Sequence, residues 1–459
     1  MNQLLARHAL LPSGWARDVL IAWNADGMLT EVRANAEGTP GMQDAVYVLP
    51  GMVNLHSHAF QRALGGLAER AEFGVGRGPD SFWTWRDLMY RFAATITPDQ
   101  VQAIAAQLFS ECLRHGYTSL CEFHYIQRDP DGRAYARPAE MAERVAAAAR
   151  STGIGLTLLP VWYSHAGFGG QPLKPEQQRF RTDAADVLEI VAALAPLRSG
   201  QLEVGAAPHS LRAAGIAQVR ELLDGLPHGR PLHIHIAEQQ AEVDQCLAFA
   251  RQRPVDYLLS HLAVDARWCL VHATHMNADE TARLAASGAV AGLCPTTEAN
   301  LGDGLFPLAP YIAGGGAFGI GSDSHVSHSP VEELRWLEYG QRLAGQRRNV
   351  AATPAEPDVG AFLWQGALRG GALAAGRPVG ALAVGKRADL LVLDDAHVNL
   401  DGVATDELLG RFLFCGNDNL VRDVLVGGRW VVKSGAHFEQ GAIAHRYTLA
   451  LHQLREVSR

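Results

Sequence analysis

Two histidines one residue apart, His56 and His58, close the apolar run Leu49-Pro50-Gly51-Met52-Val53-Asn54-Leu55. In an extended strand residues i and i+2 share a face, so both imidazoles would point into one space, as two ligands of a single metal ion must. Alone the pair is a weak signal, because two polar residues at a strand end are common. Three later apolar runs end in groups of the same kind. One reads Leu232-His233-Ile234-His235-Ile236-Ala237-Glu238, the next ends at His272, and the last ends Gly321-Ser322-Asp323-Ser324-His325. Three histidines and one aspartate meeting at a point suit one borderline divalent ion, Zn²⁺ first and Fe²⁺ second, because such ions accept imidazole together with carboxylate.

For strand ends so far apart in sequence to meet, the strands must lie side by side and run the same way. From Gly51 onward short apolar runs alternate with helical stretches. Beside the run that holds His56 there are Thr118 to Phe123, Gly155 to Pro160, Leu202 to Ala207, Leu232 to Ile236, Cys269 to His272, Ala289 to Leu293 and Ala317 to Gly321. Helical stretches between them include 241–251, 279–286 and 331–343. One helix start is explicit: Thr97-Pro98-Asp99-Gln100 offers an N-cap, a proline at the first position and a glutamine at the third, and Gly116 stops the helix. Eight βα units closing on themselves make a (β/α)8 TIM barrel, expected over 51–375, with its reactive residues at the C-terminal strand ends. The span is long for that fold, so insertions are expected at 68–91 and at 163–182. The second, with Gly167, Gly169 and Gly170, is either a lid or a plain surface insertion. Residues 1–50 and 376–459 are β-rich and should meet in one small composite β-sandwich. Within it Val426-Gly427-Gly428-Arg429 marks a hairpin.

The chain has 459 residues, 48% hydrophobic and 19% charged, an ordinary globular balance that affords a large core. Its net charge of -8, with acids and bases mixed, argues against a nucleic-acid partner. It also means that an anionic substrate would have to be held by local arginines. The six cysteines are scattered without a C-x-x-C, which reads as reduced thiols in the cytoplasm. No long apolar run stands near the start, so neither a signal peptide nor a membrane span is expected.

With these residues in view the chain resembles the amidohydrolase superfamily. The marks are His-x-His after strand one, His-x-x-Glu after strand five, His after strand six, Ser-Asp after strand eight, and the return Ala388-Asp389-Leu390-Leu391-Val392-Leu393-Asp394 to a β-sandwich. At the end of strand four stands Pro208-His209-Ser210, where binuclear members have a lysine. The resemblance therefore implies the mononuclear branch, with His56, His58, His235 and Asp323 around one ion. Glu122-Phe123-His124-Tyr125, Pro208-His209-Ser210-Leu211-Arg212, Cys294 to Gly304 and Phe82-Trp83-Thr84-Trp85-Arg86 are similar to the formimidoylglutamate deiminases. That likeness implies a small anionic substrate, N-formimidoyl-L-glutamate, hydrolysed to N-formyl-L-glutamate and ammonia in histidine degradation, and a homodimer.

Roles follow for single residues. Asp323 can take a proton from the attacking water, and Glu238, three residues past His235, can pass one to the leaving nitrogen. By resemblance His272 hydrogen-bonds the water or the tetrahedral centre, and Gln61 binds the formimidoyl group. Planar guanidinium groups match two carboxylates, so Arg212 and Arg86 are expected to hold them, with Tyr125 and His209 adding hydrogen bonds. Arg86 is alternatively a residue that covers Trp83 or Trp85. His233 is expected to point partly away from the site, Glu298 to fix the strand-seven loop, and His124, His325 and His328 to lie outside the ligand set. The competing readings are a mononuclear-metal deaminase of a purine or related heteroaromatic amine, and a barrel used only as a scaffold.

Overall fold

The structure, a computed structural model, describes residues 2–38, 42–70 and 80–457. The apolar runs form eight parallel strands: Met52–Ser57, Tyr117–His124, Gly155–Trp162, Leu202–Val204 continued by Ala207–Pro208, Leu232–Ile236, Trp268–His272, Val290–Leu293 and Ala317–Ile320. Each pairs with the next in register within two sheets. Parallel bridges from Ala206 to Leu232 and from Ser57 to Asp323 join these sheets into a closed (β/α)8 barrel. The strands are buried almost throughout, which is why they read as continuous apolar runs rather than alternating ones.

Local chemistry sets the helices between them. Helix Pro98–His115 begins as the spacing predicts: Thr97 Oγ1 accepts from Gln100 N, Gln100 Oε1 accepts from Thr97 N, and Gly116 ends the helix at φ 104°. Helix Val359–Ala375 lies so close to strand eight that a Cβ on Gly370 would collide with the Phe318 carbonyl. Only glycine fits there.

Both chain ends build one eight-stranded sheet outside the barrel. Leu390–Leu393, from the C-terminal part, pairs antiparallel with Gln43–Pro50, from the N-terminal part. This sheet closes on its own core of Leu4, Val19, Ile21, Trp23, Leu390 and Leu425. Gly427 and Gly428, both at positive φ, turn Val421–Val426 into Arg429–Lys433. Helix Gln440–Val457 packs on helix Pro98–His115.

The insertion expected at 68–91 includes residues 71–79, which lie outside the described residues; its second half is helix Phe82–Ala93. The insertion at 163–182 is anchored by two buried side chains. Gln177 Nε2 donates to Tyr163 Oη at 2.9 Å, and Arg179 donates to the carbonyls of Ile96 and Arg128. Among the described residues no helix is long and apolar enough to cross a membrane.

Candidate active site and metal centre

Strand one delivers His56 and His58, strand five His235, and the turn after strand eight Asp323. Their ligand atoms all lie within 4.8 Å of one another. His56 Nε2 is 3.0 Å from His235 Nε2, His58 Nε2 is 3.3 Å from it, and Asp323 Oδ1 is 3.4 Å from both His56 Nε2 and His58 Nε2. Donors about 2.0–2.1 Å from one ion stand roughly 3.3 Å apart when they are neighbours around it, and these four separations match that spacing.

Proton bookkeeping points the same way. His58 Nδ1 donates to the Phe123 carbonyl at 2.8 Å and His235 Nδ1 to the His209 carbonyl at 3.1 Å. Each ring then turns a bare Nε2 lone pair toward the other. Burial pushes the pKa values of His56, His58 and His235 below the usual imidazole range, so the rings are neutral. Converging lone pairs beside a carboxylate are stable with a cation among them. The donor set thus fits one divalent ion.

The turns that aim these groups are unusual. Ala237, His272, Ala273 and Asp323 have φ between 44° and 67°, the left-handed region that costs a non-glycine residue energy. They stand at or within three residues of the ends of strands five, six and eight, where the chain must turn.

Beside the ligand set stand two proton-carrying groups. Glu238 Oε1 is 3.6 Å from His272 Nε2, and Asp323 Oδ2 is 3.8 Å from the same nitrogen. Burial opposes charge on both groups. It pushes Glu238 up to about 7, while Glu238, Glu298 and Asp323 together hold His272 up at about 10. These three carboxylates favour the protonated ring of His272.

Above the ligand set lies a cavity of about 580 Å³, counting its open mouth. Gln61, Tyr125, His209, Arg86 and Arg212 all line it, so the structure gathers every residue expected around a substrate. Gln61 Nε2 donates to Tyr125 Oη at 2.8 Å, and Gln61 Oε1 has no partner among the described residues. Arg86 lies over Trp83 at 4.5 Å and over Tyr90 at 5.3 Å while also facing the cavity. Arg86 thus covers Trp83 and still lines the cavity. Arg212 Nη2 is 3.9 Å from Glu242, and the Nε atoms of both arginines lack a partner among the described residues.

Residues 47–431 match the family model described as the amidohydrolase family, and residues 1–43 match the N-terminal domain of formimidoylglutamate deiminase HutF. The chain is 53% identical over 457 residues to the formimidoylglutamate deiminase of Pseudomonas aeruginosa, covering 99% of this chain and 100% of that one. The chain belongs to the amidohydrolase family, in its formimidoylglutamate deiminase branch. A solved amidohydrolase from Brucella melitensis superposes with a TM-score of 0.94 at 43% identity, over 99% of this chain and all of that one. A zinc-bound adenosine deaminase from Xanthomonas campestris shares the fold at a TM-score of 0.78 and 21% identity, over 100% of this chain and 98% of that one.

Within this amidohydrolase barrel one residue points otherwise than the sequence suggests, and another does more. His233 does not turn away. It shares the inward face with His235, as i and i+2 must, but lies one layer deeper, where its Nε2 meets the Ala374 carbonyl at 2.9 Å. Depth, not direction, keeps it from the ion. Glu298 does fix its loop, accepting from Cys294 N at 2.9 Å, but its Oε1 also stands 3.2 Å from His272 Nδ1.

Three carboxylates went unread in the sequence. Glu122 accepts from Ser57 Oγ at 2.6 Å and from Ala59 N at 2.7 Å, bracketing His58 from behind. Burial holds it up at about 8 against those two hydrogen bonds. Asp303 groups with Glu238 and His272, and one of its oxygens has no partner among the described residues. Glu242 is buried behind Arg212. Asp303 and Glu122 stand in the segments that carry the family likeness, and that is the only signal of them in the sequence.

Proposed function

We infer that this chain is a metal-dependent hydrolase of a linear amidine, releasing ammonia from N-formimidoyl-L-glutamate to leave N-formyl-L-glutamate, a step of histidine degradation. The observation that carries this is the 53% identity over the whole length to a formimidoylglutamate deiminase. The site chemistry agrees with it. Two arginines with unused donors stand over a three-histidine, one-aspartate set, as a dicarboxylate with a hydrolysable end requires.

His56, His58, His235 and Asp323 would hold one divalent ion, Zn²⁺ ahead of Fe²⁺, because three imidazoles and one carboxylate gathered within 4.8 Å suit such ions. Such an ion lowers the pKa of water to about 7 and so makes hydroxide available at neutral pH. Asp323, at the ion and near His272, takes the proton of the attacking water. Glu238, with a pKa of about 7, carries a proton to the imino nitrogen, which leaves as ammonia. His272, held as a cation, donates to the developing tetrahedral centre. Gln61 Oε1, lacking a partner among the described residues, accepts from the formimidoyl N–H, and Arg86 and Arg212 hold the two carboxylates with help from Tyr125 and His209.

A cytoplasmic setting is supported by six unpaired cysteines, five of them buried, and the homodimer by family resemblance, with light scattering as its test.

Incubating the metal-loaded protein with N-formimidoyl-L-glutamate should release ammonia stoichiometrically. No release, with turnover of guanine or an adenosine derivative instead, would replace this reading with the heteroaromatic deaminase.

A further inference from the structure

Arg86 and Arg212 face two cavities, not one. Besides the cavity above the metal ligands they line an outer chamber of about 1120 Å³, open to solvent, together with Lys174, Gln171, Gln245 and Phe249. Among the described residues no carboxylate lines this chamber, although the chain carries a net charge of -8. Its cations are Arg86, Lys174 and Arg212; its remaining polar lining is amide. On its other side Lys174 borders a groove of mixed charge, lined by Glu69, Asp80, Asp87 and Glu176 together with Arg70 and Arg91.

The chamber is built rather than accidental. Lys174 N donates to Gln177 Oε1 at 2.9 Å, and Gln177 Nε2 donates to Tyr163 Oη at 2.9 Å, so the loop that carries the lysine is tied to the wall of the inner cavity. Phe168 stacks on Phe249 at 5.8 Å and gives the chamber a firm apolar side. The Nε atoms of Arg86 and Arg212 are buried without partners among the described residues. Glu242, the acid nearest Arg212, stands 3.9 Å off and lines neither cavity, so the guanidinium keeps its donors for a ligand.

We propose that the outer chamber is a second anion site, a vestibule that captures dicarboxylates at Lys174 and passes them to Arg86 and Arg212. It deepens the functional reading above and rests on it for the identity of the passing ligand. A small concave patch of one sign, walled by low-dielectric side chains, concentrates oppositely charged ligands and raises their rate of capture. The attraction is screened as the Debye length shrinks from ~30 Å at 0.01 M salt to ~3 Å at 1 M.

The test separates the chamber from the chemistry. Metal-loaded wild type, Lys174→Gln, Lys174→Glu and Arg348→Glu are titrated calorimetrically with glutarate, a dicarboxylate without a formimidoyl group. Arg348 is exposed and lines neither cavity, so its reversal controls for net charge alone. Glutarate should bind wild type and Arg348→Glu alike, and Lys174→Glu about 3- to 10-fold more weakly at low salt, with Lys174→Gln between them and the gap closing near 1 M. kcat/KM for the accepted substrate should follow the same order and the same salt dependence.

Equal glutarate affinity in wild type and Lys174→Glu, equal weakening in Lys174→Glu and Arg348→Glu, or no glutarate binding to wild type would each overturn the vestibule. If glutarate binding depends on Lys174 but N-formimidoyl-L-glutamate is not hydrolysed, the vestibule stands and the substrate assignment falls.

Discussion

His272 Nδ1 lies 3.2 Å from Glu298 Oε1, a contact between the end of strand six and the first turn of the helix after strand seven. Burial alone would strip the proton from His272; Glu238, Glu298 and Asp323 keep it, and Glu298 also fixes the ring's direction. Glu298→Gln keeps the shape and removes the charge. His272 should then lose its proton at lower pH, so the high-pH limb of kcat/KM should move toward neutrality. At its optimum the variant should be roughly 10- to 100-fold slower, in the range seen when a supporting residue is lost. A wild-type pH profile in the variant would show that Glu298 only holds its loop.

Glu238→Gln should retain metal and fold, and lose about 10²- to 10⁴-fold in kcat, because the amide cannot pass a proton to the leaving nitrogen. Metal analysis beside ammonia release checks both halves. Near-normal kcat would remove Glu238 from the proton path.

Arg212→Ala should raise KM for N-formimidoyl-L-glutamate, at a cost of roughly 2–5 kcal/mol for a desolvated charge pair that loses one member. Arg212→Lys should recover little of it, since an ammonium cannot reproduce the planar fork. An unchanged KM in Arg212→Ala would move the carboxylate site elsewhere.

The strand-one pair and the strand ends that face it were legible in the sequence from periodicity and the barrel rule, while the choice of His235 and Asp323 as partners of the pair came from the family resemblance. His56 and His58 share a face by the period of two, and the C-terminal strand ends must meet if the eight runs close. The helix at Pro98 was legible as well, its cap being written in four consecutive residues. What stayed hidden depends on contacts between distant elements. Nothing near Glu122 in the sequence says that it accepts from both Ser57 and Ala59, and nothing near Asp303 says that it lies by Glu238. His233 obeys the periodicity and still misses the ion, because periodicity gives direction but not depth.

Chelation should abolish activity and lower Tm, and added Zn²⁺ should restore both. A ligand present at a thousand times its Kd stabilises the folded state by about 4 kcal/mol, so the shift should be several degrees. His235→Ala should fail to recover metal or activity. Full turnover by protein with no detectable bound ion would sink the metal assignment.

Arg62 grips Glu111 through two hydrogen bonds, Nε to Oε2 at 2.7 Å and Nη2 to Oε1 at 3.0 Å, and so ties the turn after strand one to helix Pro98–His115. Burial alone would raise the Glu111 pKa, but Arg62, with His328 and Gln107, holds it below the usual carboxylate range. A carboxyl depressed on folding stabilises the protein above its unfolded pKa of about 4.3, and that stability is lost as pH falls through the folded value. Glu111→Gln removes the charge at every pH. Thermal unfolding should therefore show the variant destabilised at pH 7 by about 1.5–3 kcal/mol, the worth of a charged hydrogen bond. The gap to wild type should narrow as pH falls below about 4.3. A gap that stays constant down to about pH 3, well below that carboxyl value, would mean that the substitution costs packing rather than charge. The ion pair would then carry no acid sensitivity.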